Sequence, residues 1–104
     1  MAFRSDLDAI ILGALVDGPL HGYAIVKRLH KHSDGLLKLG EGQLYPALHK
    51  LEKANMVIAH WDQQEGKPSR RVYSLTDGGR EELKRQRTAW EKFAKSINAV
   101  LKLG

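Results

Sequence analysis

The sequence predicts a mainly α-helical fold with one β-hairpin, and three observations carry that reading. Over residues 41–55, Leu44, Ala47, Leu48, Leu51 and Ala54 recur at the spacing of a helix with one buried face. From Met56 the period changes: residues 57–61 and 71–75 are rich in β-branched and aromatic side chains. Between them, Gln63-Gln64-Glu65-Gly66-Lys67-Pro68-Ser69 is a turn-forming sequence, so the pair reads as a hairpin. After Thr76 the helical spacing returns and holds to about Leu103, a run of roughly 25 residues and about 37 Å.

The remaining elements follow in order. Ser5-Asp6-Leu7-Asp8 opens a first helix, with Ser5 as N-cap and acids in the positive first turn. Leu7, Ile10, Ile11, Ala14 and Leu15 form its apolar face, and Gly18-Pro19 ends it. A second helix runs from about His21 to His32 with Ile25, Val26 and Leu29 inward, stopped by Ser33-Asp34-Gly35. Residues 36–39 are a short apolar run, readable as an edge strand or an extended linker. Pro46 sits early in the third helix, and Asn55 is suited to its left-handed C-terminal cap. Thr76 caps the last helix, whose Gly78 and Gly79 read as poor helix formers tolerated in a first turn.

Composition narrows the function. The chain has 104 residues, the size of one domain, with 42% hydrophobic content and no run long enough to span a membrane. The first residues lack the charge pattern of a signal peptide, so a cytoplasmic protein is the expectation. With no cysteine, disulfides, thiolate catalysis and cysteine-based zinc sites are excluded. Five histidines are scattered; His30 and His32 point about 200° apart on a helix, which argues against a metal centre. No nucleophile stands with a paired base and no glycine-rich phosphate cradle is present, so no enzyme and no cofactor are expected.

Net charge is +5, from 17 Lys/Arg against 12 Asp/Glu, a balance that favours anionic partners. The third helix offers Gln43, Tyr45, His49, Lys50 and Lys53 on the face opposite its apolar stripe, all of them hydrogen-bond donors. A helix that buries one stripe and presents donors on the other suits the DNA major groove, whose base edges and phosphates are rich in acceptors. The hairpin adds Lys67, Arg70 and Arg71 around a glycine and a proline, extending one phosphate-contacting surface. In the last helix Leu83, Arg87, Trp90, Ala94, Ile97 and Leu101 keep 4-3-4-3-4 spacing, a heptad-like seam flanked by Phe93 and Val100. So long a helix cannot lay its whole stripe on a body of about 75 residues, and pairing with a second copy answers that.

Three helices followed by a basic hairpin make the winged helix-turn-helix plan, residues 1–76, with residues 77–104 as a dimerisation helix. Leu20-His21-Gly22-Tyr23, residues 42–48 (GQLYPAL), Leu51-Glu52-Lys53 and residues 73–79 (YSLTDGG) together resemble the PadR family of bacterial transcriptional regulators. The single C-terminal helix is similar to its smaller subfamily, which includes multidrug-sensing repressors. The resemblance implies a homodimer on a palindromic operator, joined through the last helix with help from Leu7 and Ile11 of the first. It implies DNA contacts from Tyr23, from Gly42, Gln43, Tyr45, Pro46, His49 and Lys50, and from the wing residues Lys67, Ser69, Arg70 and Arg71. It also implies release by a small molecule: Trp90 falls where drug-sensing relatives stack planar ligands between protomers, with Phe93 and Ile97 lining the site. Gln43 stands where threonine or serine is usual, and Asn55 where glycine is. The alternative is a winged-helix module for protein or RNA interaction without an effector.

Overall fold

Pro19 cannot extend a helix and Gly18, at φ +144°, turns the chain sharply just before it, so the first helix is short. The computed structural model describes residues 6–103. The elements run α1 (Asp6–Ala14), β1 (Leu20–His21), α2 (Gly22–His32), α3 (Glu41–Lys53), β2 (Val57–Asp62), β3 (Arg70–Leu75) and α4 (Asp77–Leu101). Ser5, read as the first N-cap, lies outside the described residues.

Helices α1–α3 and the start of α4 close around one apolar core. Ile11, Leu12, Leu15, Ile25, Leu44, Leu48 and Leu51 are fully buried, each contributing about 1.5–3 kcal/mol by leaving water. Leu12 joins this set although the apolar face read from the sequence omitted it. α1 is short and covered by α2, α3 and α4, so it buries more than one stripe. Val57 and Tyr73 bring the sheet onto the core, and Leu83 brings α4.

The sheet has three antiparallel strands in the order β1-β3-β2. The hairpin pairs Val57 with Leu75 through to Asp62 with Arg70, one residue longer on each strand at the tip than the sequence indicated. The third strand was not foreseen. Leu20 pairs with Tyr73 and His21 with Val72, so His21 begins no helix; it is extended at φ −79° and ψ 164°, and α2 starts at Gly22. The apolar run at residues 36–39 forms no strand: β3 is flanked by β2 and β1, and Leu36 is left 84% exposed.

The caps are largely those the sequence implied. Asp34 and Gly35, at φ +53° and +82°, turn the chain out of α2. Asn55, at φ +59°, takes the left-handed cap after α3, and the Met56 N–H donates back to the Leu51 carbonyl at 2.9 Å. Thr76 accepts the Gly79 N–H at 2.9 Å on its hydroxyl, which also donates to the Asn55 carbonyl at 2.6 Å. One side chain therefore caps α4 and ties it to the turn after α3.

Candidate nucleic-acid interface

The amphipathic pattern of α3 is realised: Leu44, Ala47, Leu48 and Leu51 are buried while Gln43, Tyr45, Pro46, His49, Lys50 and Lys53 are exposed. Pro46 lies within the helix and has no N–H to give the Gly42 carbonyl. Gln43 is not wholly free for a ligand, because its carboxamide oxygen accepts the Gly40 N–H at 3.4 Å and helps close the helix start.

α3 is flanked on both sides. At its N-terminal half the Tyr45 ring lies against Gly22, where an added Cβ would stand 2.3 Å from the phenol oxygen. Glycine at this position leaves the ring that space between α2 and α3. Tyr23, the next residue, is exposed with the Lys27 ammonium 5.5 Å over its ring. Tyr23, Lys27, Lys31, Lys38 and Gly40 line one groove between α2 and the start of α3. The three lysines were missed in the sequence, although Tyr23, Lys27 and Lys31 recur every four residues on one helix face.

At its C-terminal half α3 meets the wing. Arg71 on β3 sits 3.0 Å from the Glu52 carboxylate and 5.7 Å over the Trp61 ring. Arg70 pairs with Asp62 across the hairpin at 3.5 Å. Lys67 and Ser69 are exposed in the connecting loop, where Gly66 takes φ +70°, the Lys67 N–H reaches the Gln64 carbonyl at 3.1 Å, and the Ser69 hydroxyl donates to the Gln63 carboxamide. Cations from α2, α3 and the wing thus border the exposed stripe of α3, and none of them lies in the core. Lys50 also reaches Asp8 at 3.9 Å, a loose surface pair that water screens.

The residues expected at a dimer seam divide in two. Ile11 and Leu83 are buried inside the protomer, and Leu7 packs against the same core. Beyond Leu83 no residue of α4 is buried. Trp90 is 52%, Ile97 38% and Leu101 60% exposed, while Phe93 and Ala94 are half-buried. Trp90 and Phe93 meet as a tilted pair with ring centroids 6.0 Å apart.

Comparisons with known proteins bear on the fold and the family. The model of the transcriptional regulator PadR-like family matches residues 11–85. A 37.1 kDa protein in transposon Tn4556 of Streptomyces fradiae is 42% identical over 82 residues, 79% of this chain, which spans only 22% of that protein's length. The transcriptional regulator Rv3488 of Mycobacterium tuberculosis is 32% identical over 87 residues, covering 84% of this chain and 78% of the relative. A transcriptional regulator from Clostridium thermocellum superposes with TM-score 0.83 at 31% identity, over 94% of this chain and 95% of that one. The negative transcriptional regulator PadR of Bacillus subtilis, in its crystal structure with operator DNA, superposes with TM-score 0.70 at 31% identity. That likeness covers 77% of this chain and 45% of the Bacillus protein.

Proposed function

The chain belongs to the PadR-like family of DNA-binding transcriptional regulators, which are not enzymes, and from that premise we propose that it is a homodimeric repressor. Each protomer reads half of a palindromic operator, and a planar aromatic molecule held between the two Trp90 side chains releases the dimer. The observation that carries the DNA reading is the donor-rich outer stripe of α3, bordered on one side by Tyr23 and Lys27 and on the other by the wing.

In this reading α3 enters the major groove. Gln43, Tyr45 and His49 face base edges, while the exposed turn at Gly42 and Pro46 lets the helix approach them closely. Tyr23, Lys27, Lys50, Lys67, Ser69 and Arg70 approach phosphates and fix the register. The exposed apolar side chains of Ile97, Val100 and Leu101 support pairing of two α4 helices, because such a surface is costly in water. In this reading operator occupancy by a dimer blocks transcription; that a relative, from Bacillus subtilis, is a negative transcriptional regulator supports repression.

The test is selection of duplexes from a randomised pool by the full chain, with its molecular mass measured by sedimentation. A dimer enriching a palindrome is expected, with log affinity falling steeply against log salt. Lys27→Ala with Lys67→Ala should flatten that slope by about two if each cation neutralises one phosphate. A monomer that enriches no sequence and binds with a shallow slope would sink the proposal in favour of a protein- or RNA-binding module.

A further inference from the structure

We infer that Arg71 is a positioning residue: it braces the wing against α3 through Glu52 and Trp61, and so governs which sequence is read without touching DNA. The inference rests on the DNA-binding reading above.

Its first support is the arrangement itself. The guanidinium is engaged twice: its Nη2 donates to the Glu52 carboxylate at 3.0 Å, and its flat face lies over Trp61. Trp61 is also the residue paired with Arg71 across the hairpin, so the three side chains gather where the strands run out toward the loop. Among the described residues this is the ion pair joining the wing to α3. The neighbouring Arg70 pairs within the wing, to Asp62, and carries no such link.

The second support is Glu52. It lies in the last turn of α3, where the helix dipole disfavours an acid, and between Lys50 and Lys53 on a helix proposed to face a polyanion. Its side chain is only 25% exposed, turned toward the wing. A carboxylate there is unfavourable both for the helix and for a nearby phosphate unless a cation neutralises it. Arg71 does so, and the nitrogen that donates to Glu52 is not open to a phosphate at the same time. The pair sets the wing's angle, and with it the position of Lys67 and Ser69 relative to the bases under Gln43 and His49.

The experiment uses the full chain and the duplex enriched by the unaltered protein, with folding of every variant checked by thermal unfolding. Arg71→Ala should weaken binding about tenfold and leave the salt slope unchanged, whereas Lys67→Ala should lower the slope by about 0.9. Arg71→Glu should bind worst of the single variants. Adding Glu52→Arg to it should restore affinity to within about threefold, because the brace is rebuilt with its charges exchanged. A slope lowered by about 0.9 in Arg71→Ala, with the exchanged pair binding no better than Arg71→Glu, would show a direct phosphate contact and overturn the inference. The brace is also read without DNA: in a Trp90→Phe background, Glu52→Gln should shift Trp61 emission as the guanidinium leaves the ring. Unchanged emission overturns the brace, while failure of the unaltered protein to enrich any duplex overturns the DNA reading instead.

Discussion

Two adjacent glycines show how one atom divides a permissive position from an obligatory one. Sequence reasoning treats Gly78 and Gly79 alike, as weak helix formers at a helix start. In the structure an added Cβ on Gly78 meets nothing closer than the Asn55 carbonyl oxygen at 3.4 Å, an ordinary contact. On Gly79 it would stand 2.0 Å from the Met56 carbonyl oxygen and 3.0 Å from its carbon. Those are backbone atoms, and the same carbonyl accepts the Thr76 N–H at 3.1 Å, so it cannot move cheaply. Gly78→Ala should therefore be neutral or stabilise by up to about 1 kcal/mol, from helix propensity. Gly79→Ala should destabilise by about 2–3 kcal/mol, because overpacking outweighs that gain. Thermal unfolding followed by circular dichroism should separate the two melting points by some 10 °C, at about 4–8 °C per kcal/mol for a domain of this size. Equal melting points would mean that α4 and the turn after α3 accommodate a methyl group at Gly79 without cost.

At the scale of elements, what was legible is what local sequence determines. The stripe of α3, the turn-bounded hairpin, the Thr76 cap and the left-handed Asn55 all rest on neighbours within a few residues, and all stand in the fold. β1 was invisible because it is two residues long and owes its existence to Val72 and Tyr73, fifty residues away. Taking the free side of β3, it also leaves residues 36–39, the better strand on composition, as a linker. The brace on Glu52 was hidden for the same reason, since nothing near Arg71 in sequence announces an acid nineteen residues earlier. β1 also carries a titratable consequence. Burial lowers the pKa of His21 below its ordinary 6.5, helped by Arg70 and Lys27 and opposed by Asp62. The unfolded chain then binds the proton more readily than the folded one. Stability contributed by neutral His21 is present above about pH 6.5 and is lost as pH falls from there toward the folded value. Denaturant midpoints measured from pH 8 to 5 should decline in the unaltered protein and decline less in His21→Gln. Parallel declines would show that His21 does not carry the acid sensitivity.

The whole molecule is 56 Å long and only 28 by 23 Å across, because α4 runs on past the body that buries its start. The seam read from the sequence is thus divided within one helix: Leu83 anchors α4 to its own core, whereas Ile97, Val100 and Leu101 further along stand exposed. If a second copy covers them, the two Trp90 rings approach one dyad, each flanked by Phe93 and the small Ala94. Ala94 leaves room between the paired helices, and two aromatic faces, each worth on the order of 1 kcal/mol beyond area burial, could hold a flat dye at about micromolar strength. The prediction is that a planar aromatic compound quenches tryptophan emission, that Trp90→Ala weakens its binding at least tenfold, and that DNA affinity without the dye is unchanged. Trp61 contributes to the same signal, so the titration belongs in a Trp61→Phe background, where any remaining quench reports Trp90. The opposing outcome is a closed seam in which the rings pack on each other or on Ile97. Then no compound in a panel of planar dyes binds, and Trp90→Ala lowers the melting point by several degrees because it opens a cavity at the centre of the dimer.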